Sequence, residues 1–201
     1  MSVAGARVIT VLRHGECEGR NAVFRGRTDD PLSVKGWAQM RAAAVRFGTF
    51  DSISSSPLLR CREFAAEFAA ARGLPLLIEP GFRERDFGAW ECLSADEVAA
   101  RFPTSGDPRQ NPYNNAPGGG EAYVDFRARV ESAWAEWTAR TAPGAHLLVA
   151  HAGIMRALLV QLLGLPPENL YRLNLPNAGH FTVSLLAGQA PVLLSLNGCA
   201  D

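Results

Sequence analysis

Two rhythms of hydrophobic and polar positions alternate along the chain. Short aliphatic or β-branched runs read as strands at residues 7–13, 51–55, 76–79, 146–150, 181–186 and 192–196. The run over 146–150, His-Leu-Leu-Val-Ala, has the unbroken apolar centre of a strand buried on both faces. Between these runs, apolar residues recur at helical spacing. Ser33 offers an N-cap to a helix over 34–47, in which Trp37, Met40, Ala44 and Phe47 share a face. An alanine-rich helix follows Pro57 over 58–72, and Ser94 with Glu97 forms a capping box for a helix that stops before Pro103. Residues 121–140 carry Val124, Phe126, Val130, Trp134 and Trp137 as apolar anchors, and a last helix is expected over 154–163. Residues 103–120 are rich in Pro, Gly and Asn without any period, so they read as an irregular insertion or lid. This alternation predicts an α/β fold, a three-layer αβα sandwich around a mostly parallel central sheet, with 1–201 forming a single domain and the first strand near the centre.

Composition narrows the possible partners. Of 201 residues, 47% are hydrophobic, enough for one independent core. Twenty Lys plus Arg balance twenty Asp plus Glu, so no net field draws the chain to nucleic acid or to an anionic membrane surface. The apolar run near the N-terminus is too short for a signal peptide and no later stretch is long enough to span a bilayer, so a cytoplasmic location is expected. Cys17, Cys61, Cys92 and Cys199 form neither a Cys-x-x-Cys pair nor a zinc-spaced cluster with histidine, so reduced thiols, no metal and no cofactor are expected. Lys35 is the only lysine, and arginine grips phosphate oxygens through paired donors.

In parallel sheets, ligands bind beyond the carboxyl ends of the strands. Arg13-His14 follows the first strand, Arg60 lies just beyond the second, His151 follows the run 146–150, and Glu84 sits in a loop able to reach the same rim. Taken singly, each has a bland reading as a surface turn, a cap or a solvated charge. Together at strand ends they outline a site for a phosphate ester. His14 is the expected nucleophile, because neutral imidazole attacks phosphorus and the phosphoramidate then hydrolyses. Arg13 and Arg60 would stabilise the phosphoryl group in flight without a metal, and Glu84 would protonate the leaving alcohol and later deprotonate water.

These residues resemble the histidine phosphatase superfamily, the phosphoglycerate mutase-like fold, over nearly the whole chain. Leu12-Arg13-His14-Gly15-Glu16 is similar to its signature, and Thr28-Asp29-Asp30-Pro31-Leu32-Ser33 with Gly36 to the stretch that follows. Ser55-Ser56-Pro57-Leu58-Leu59-Arg60, the block from Phe82 to Glu91, Gly118-Gly119-Gly120-Glu121, and Val149-Ala150-His151-Ala152-Gly153-Ile154-Met155-Arg156 resemble the later motifs. The resemblance implies that His14 is phosphorylated, that Glu84 donates the proton, and that Arg13, Arg60 and His151 clamp the phosphate. It further implies an asparagine contact, carried here by Asn21 one position late with Arg20 at the family's place. Arg25 before Gly26 replaces a common glutamine and adds charge at the pocket mouth, and Cys92 replaces a common glycine.

The compact length and the block from Arg25 to Leu32 look most like the α-ribazole-phosphate phosphatase branch, so the expected partner is a small-molecule phosphate ester. Two other readings stand beside it: a phosphoglycerate mutase, and a non-catalytic module binding phospho-ligands. The segment 102–120 and residues 177–180 are expected to shape specificity, with Tyr113 or His180 facing the space above the phosphate. The sequence leaves the oligomeric state open.

Overall fold

The computed structural model describes residues 5–105 and 118–197. Six strands form one sheet: β1 (Arg7–Arg13), β2 (Ser52–Ser55), β3 (Leu76–Ile78), β4 (Gly144–Ala150), β5 (His180–Leu185) and β6 (Val192–Asn197), in the order β3-β2-β4-β1-β5-β6. β3, β2, β4 and β1 run parallel, whereas β5 pairs antiparallel with β1 and with β6. β1 is thus internal, near the centre of the sheet as expected of its β-branched run.

Side chains leave β1 and β4 alternately, and each face feeds a different core. Ile9, Val11, Leu148 and Ala150 pack with α4 (Tyr123–Arg140) and α5 (Ala152–Leu162). Leu12, Leu147 and Val149 pack with α1 (Val34–Ala44) and α2 (Leu59–Ala70) on the other face. Three layers result, with Trp137 of α4 donating from its indole N–H to Ser54 Oγ of β2 at 2.9 Å.

Local chemistry explains the helix starts. Ser33 Oγ accepts from Gly36 N–H, and at α3 (Ala95–Arg101) the Ser94–Glu97 capping box is complete. Helix α1 stops at Ala44, three residues short of the sequence expectation, because the backbone there tightens into turns, with Arg46 N–H donating to Ala43 O and Phe47 N–H to Ala44 O, although Phe47 still packs against the core. Val124 is likewise 56% exposed and anchors nothing, since Tyr123 and Phe126 already supply the buried stripe of α4. Among the described residues, no helix is long and apolar enough to cross a membrane.

Candidate active site

The parallel register brings the carboxyl ends of β1, β2 and β4 to one rim: Arg13 stands opposite Ala150, and Ser55 opposite Val149. The ladder continues one step further. His14 N–H donates to Ala150 O at 3.0 Å and Ser56 N–H to Val149 O at 2.9 Å, which fixes the backbone at three side chains that share the rim: His14, Ser56 and His151. The two imidazole centroids lie 5.3 Å apart, with planes inclined at 63°. Gly15 and Gly36 allow this loop to seat, because a Cβ on Gly15 would collide with the Gly36 backbone.

Partners fix both tautomers. His14 Nδ1 lies 2.7 Å from Gly15 O, and a carbonyl can only accept, so Nδ1 carries the proton and Nε2 keeps its lone pair. In His151 the roles reverse. Arg60 Nε donates to Nδ1 at 3.3 Å, so Nε2 holds the proton and gives it to Ser56 Oγ at 2.7 Å. Burial, reinforced by the charges of Arg13 and Arg60, holds the His14 pKa well below its usual value. Burial and then Arg60 do the same to His151, and burial with Arg46 lowers His180.

All three histidines therefore stay neutral in the folded chain under conditions that protonate them when unfolded. The unfolded state binds more protons below its histidine pKa of about 6.5, so stability is constant above that pH and falls as pH drops below it, until the folded pKa values are reached. The expected slope is up to about 1.4 kcal/mol per pH unit for each histidine. Thermal unfolding measured between pH 7 and pH 5 should show the loss, and a His180→Gln variant should show a shallower one.

Glu84 is 6% exposed and approaches α5 from outside the sheet. Its Oε2 accepts from Gly153 N–H and its Oε1 from Arg85 N–H, both at 2.9 Å, so the carboxyl sits at the helix N-terminus. A side chain on Gly153 would fill the place of that carboxyl, which accounts for glycine there. The loop holding Glu84 is tied to α4 through Arg129, which donates to the carbonyls of Gly81 at 2.7 Å and Arg83 at 2.9 Å while paired with Glu121.

A cavity of about 240 Å³ opens over these groups. Arg13, His14, Asn21, Arg25 and Glu84 all line it, together with Asn177 from the stretch expected to shape specificity and with Cys17, Arg85, Arg156 and Tyr171, to which sequence reading assigned no role. Arg85 directly follows Glu84 and Arg156 closes the final motif, and those neighbourhoods were the available signal. Arg25 also pairs with Asp30 at 2.7 Å.

Arg60, His151 and Gly26 are not part of the cavity wall. Arg60 is fully buried, and its guanidinium donates to Thr28 O at 2.6 Å, Gly26 O at 2.8 Å and Arg25 O at 3.3 Å. His180 does not face the cavity either. It opens β5, an internal strand, and packs edge-on against Phe47 at 4.9 Å, because β1 and β6 flank it on both sides. Tyr113 lies outside the described residues. Arg20 points away to a surface pair with Glu97 at 2.9 Å.

One carboxylate latches the loop that frames the cavity mouth. Glu91 accepts from the N–H groups of Gly26, Arg27, Thr28 and Phe87 and from the Thr28 hydroxyl at 2.6 Å. Burial alone would raise its pKa, but the donors from Thr28, Arg27 and Phe87 win and hold the carboxyl below the usual range. Glu91→Ala strands these donors together, and a loss of about 2–4 kcal/mol is expected in denaturant unfolding. Next to Glu91, Cys92 adopts φ 63°, a left-handed conformation that explains the glycine common at this place in the family it resembles.

Residues 9–198 match the histidine phosphatase superfamily (branch 1), and the chain belongs to that family. It is 36% identical over 174 residues to a 2,3-bisphosphoglycerate-dependent phosphoglycerate mutase of Methylobacterium radiotolerans, covering 79% of this chain and 80% of that protein. It is 28% identical over 184 residues to the adenosylcobalamin/alpha-ribazole phosphatase of Salmonella typhimurium, covering 90% and 91%. The structure of the mycobacterial glucosyl-3-phosphoglycerate phosphatase Rv2419c superposes with a TM-score of 0.82 at 29% identity, covering 96% of this chain and 99% of that one. The chain spans about half the length, 47%, of mycobacterial relatives to which it is 32% identical over 171 residues.

Proposed function

We infer that the chain hydrolyses small phosphate monoesters through a phosphohistidine at His14. The observation that carries this reading is the state of that imidazole: neutral by burial and neighbouring arginines, with Nδ1 pinned on Gly15 O and Nε2 left with its lone pair beside a cavity that Glu84 also lines. In the first step Nε2 forms a bond to phosphorus as the ester P–O bond breaks, and the departing oxygen takes a proton from Glu84. In the second, Glu84 takes a proton from water, the oxygen attacks phosphorus, and the P–N bond breaks to release phosphate. Arg13 and Arg25 place positive charge where the equatorial oxygens develop theirs, and Asn21 offers an amide donor on the same wall. His151 and Arg60 support the site from beneath: the guanidinium fixes the His151 tautomer, lowers the His14 pKa and holds the carbonyls of the Arg25–Gly26–Thr28 loop.

Every charge in this scheme comes from a side chain, so the reaction runs without a metal ion. Among the esters the relatives' names suggest, α-ribazole 5′-phosphate and glucosyl-3-phosphoglycerate are the first to assay. The mutase reading shares the first step and rests on the Methylobacterium relative. A panel of phosphate esters incubated with a chelator separates them: phosphate release without isomer exchange supports the phosphatase, whereas interconversion of phosphoglycerates would replace it by the mutase.

A further inference from the structure

Glu121, which closes the Gly118-Gly119-Gly120-Glu121 block, and Arg129 do not line the cavity. They meet instead on the loop that carries Glu84. Glu121 precedes α4 and Arg129 lies within it, and the two pair through parallel bonds of 2.7 Å, Arg129 Nε to Glu121 Oε1 and Nη2 to Oε2. The pair is largely buried, with 23% and 20% of the two side chains exposed.

The remaining donors of the guanidinium go to backbone carbonyls of the Glu84 loop. Nη1 donates to Gly81 O at 2.7 Å and to Arg83 O at 2.9 Å, and Nη2 reaches Glu84 O at 3.5 Å. Three carbonyls within residues 81–84 thus converge on one cation. Glu121 grips the same loop a second way: its N–H donates to Asp86 O at 2.9 Å, and its carbonyl accepts from Arg85 Nε at 2.9 Å. A Cβ on Gly120 would collide with Asp86 O, so the close approach of the two backbones requires glycine before Glu121. The loop is therefore held on both sides of Glu84, at 81–83 by the guanidinium and at 85–86 by the Glu121 backbone.

The Glu84 carboxyl accepts from the backbone N–H groups of Arg85 and Gly153, so its place follows from where the loop backbone runs. Proton transfer is sensitive to that place, and a displacement of about 1 Å can cost about 10²-fold. On the phosphatase reading, with Glu84 as its acid, we propose that the Glu121–Arg129 pair is the positioning device for Glu84, acting on the reaction only through the placement of that carboxyl. A lysine in place of Arg129 could pair with Glu121 but has no planar fork to hold Gly81 O and Arg83 O as well.

The test measures, in a single turnover, release of butanol from n-butyl phosphate and of nitrophenol from 4-nitrophenyl phosphate. Butoxide needs a proton in order to depart, whereas nitrophenolate leaves unaided. Arg129→Gln should slow butanol release by roughly 10- to 100-fold and leave nitrophenol release within about threefold of wild type. Arg129→Lys should lie between the two. Glu121→Gln, which keeps its backbone bonds, should show the same split at smaller size, and it carries the test where the arginine variant does not fold. In a Glu84→Gln background either substitution should change butanol release by less than about threefold, because the group they place is already gone. A purely structural role predicts equal slowing of both esters, and the same further loss on top of Glu84→Gln; either result overturns the proposal while leaving the phosphatase reading intact. Failure of the wild-type protein to release alcohol from either ester overturns the reading beneath it.

Discussion

His14→Ala is expected to lower kcat/KM for phosphate esters by about 10⁴-fold or more, because it removes the atom that forms the covalent intermediate. No neighbour can take over: His151 Nε2 is protonated and committed to Ser56, and its Nδ1 lone pair faces Arg60. Cys17 lies 3.6 Å from His14 Nδ1, but burial raises its pKa, so it offers a thiol in place of a thiolate. The fold should survive, since the lost side chain contributes one hydrogen bond to Gly15 O, worth about 1 kcal/mol. Steady-state kinetics together with thermal melting decide the matter. Wild-type rates in a folded variant would remove His14 from the chemistry.

Glu84→Gln should produce the second large effect, with a signature that loss of structure cannot mimic. Proton transfer by a positioned carboxyl contributes about 10²–10⁴-fold, and an amide supplies none. The loss should be severe for alkyl esters, whose alkoxide cannot depart unprotonated, and milder in the first step for nitrophenyl phosphate, whose phenolate leaves unaided. The second step also uses Glu84 to activate water, so with the nitrophenyl ester the variant should release a burst of nitrophenol and accumulate phosphoenzyme. Equal losses for both leaving groups, with no burst, would mean that the carboxyl serves only to cap α5 through Gly153 N–H.

Much of this site was legible because its strands are. β1 and β4 are apolar runs that end abruptly at Arg13-His14 and at His151, and parallel pairing then forces those ends together. The capping serines were readable for a similar reason: Ser33 and Ser94 act on the backbone within three residues. What the sequence could not show depends on contacts between distant segments. Arg60 carries the family's motif, yet its donors go to carbonyls of residues 25–28, some thirty positions away, and no periodicity records that. Tyr171 and Arg156 meet through a 3-10 turn spanning Pro167–Arg172, which has no strong pattern of its own. His180 was misplaced because its position after an Asn-Ala-Gly turn suggests a loop, while the ladder to Leu12 draws it into β5. Val124 shows the limit of a helical stripe, since one residue beside the stripe faces outward however apolar it is.

The central claim is covalent transfer to one nitrogen, and a rapid-quench experiment reaches it most directly. The protein is mixed with an aryl phosphate, stopped in alkali where phosphohistidine persists, digested, and the phosphorylated peptide is located by mass spectrometry and by its phosphorus resonance. The account predicts an acid-labile phosphoryl group on the peptide containing His14, attached through Nε2, formed and lost at rates matching turnover. Turnover with no such adduct, or with the phosphoryl group on His151 or Cys17, would contradict it.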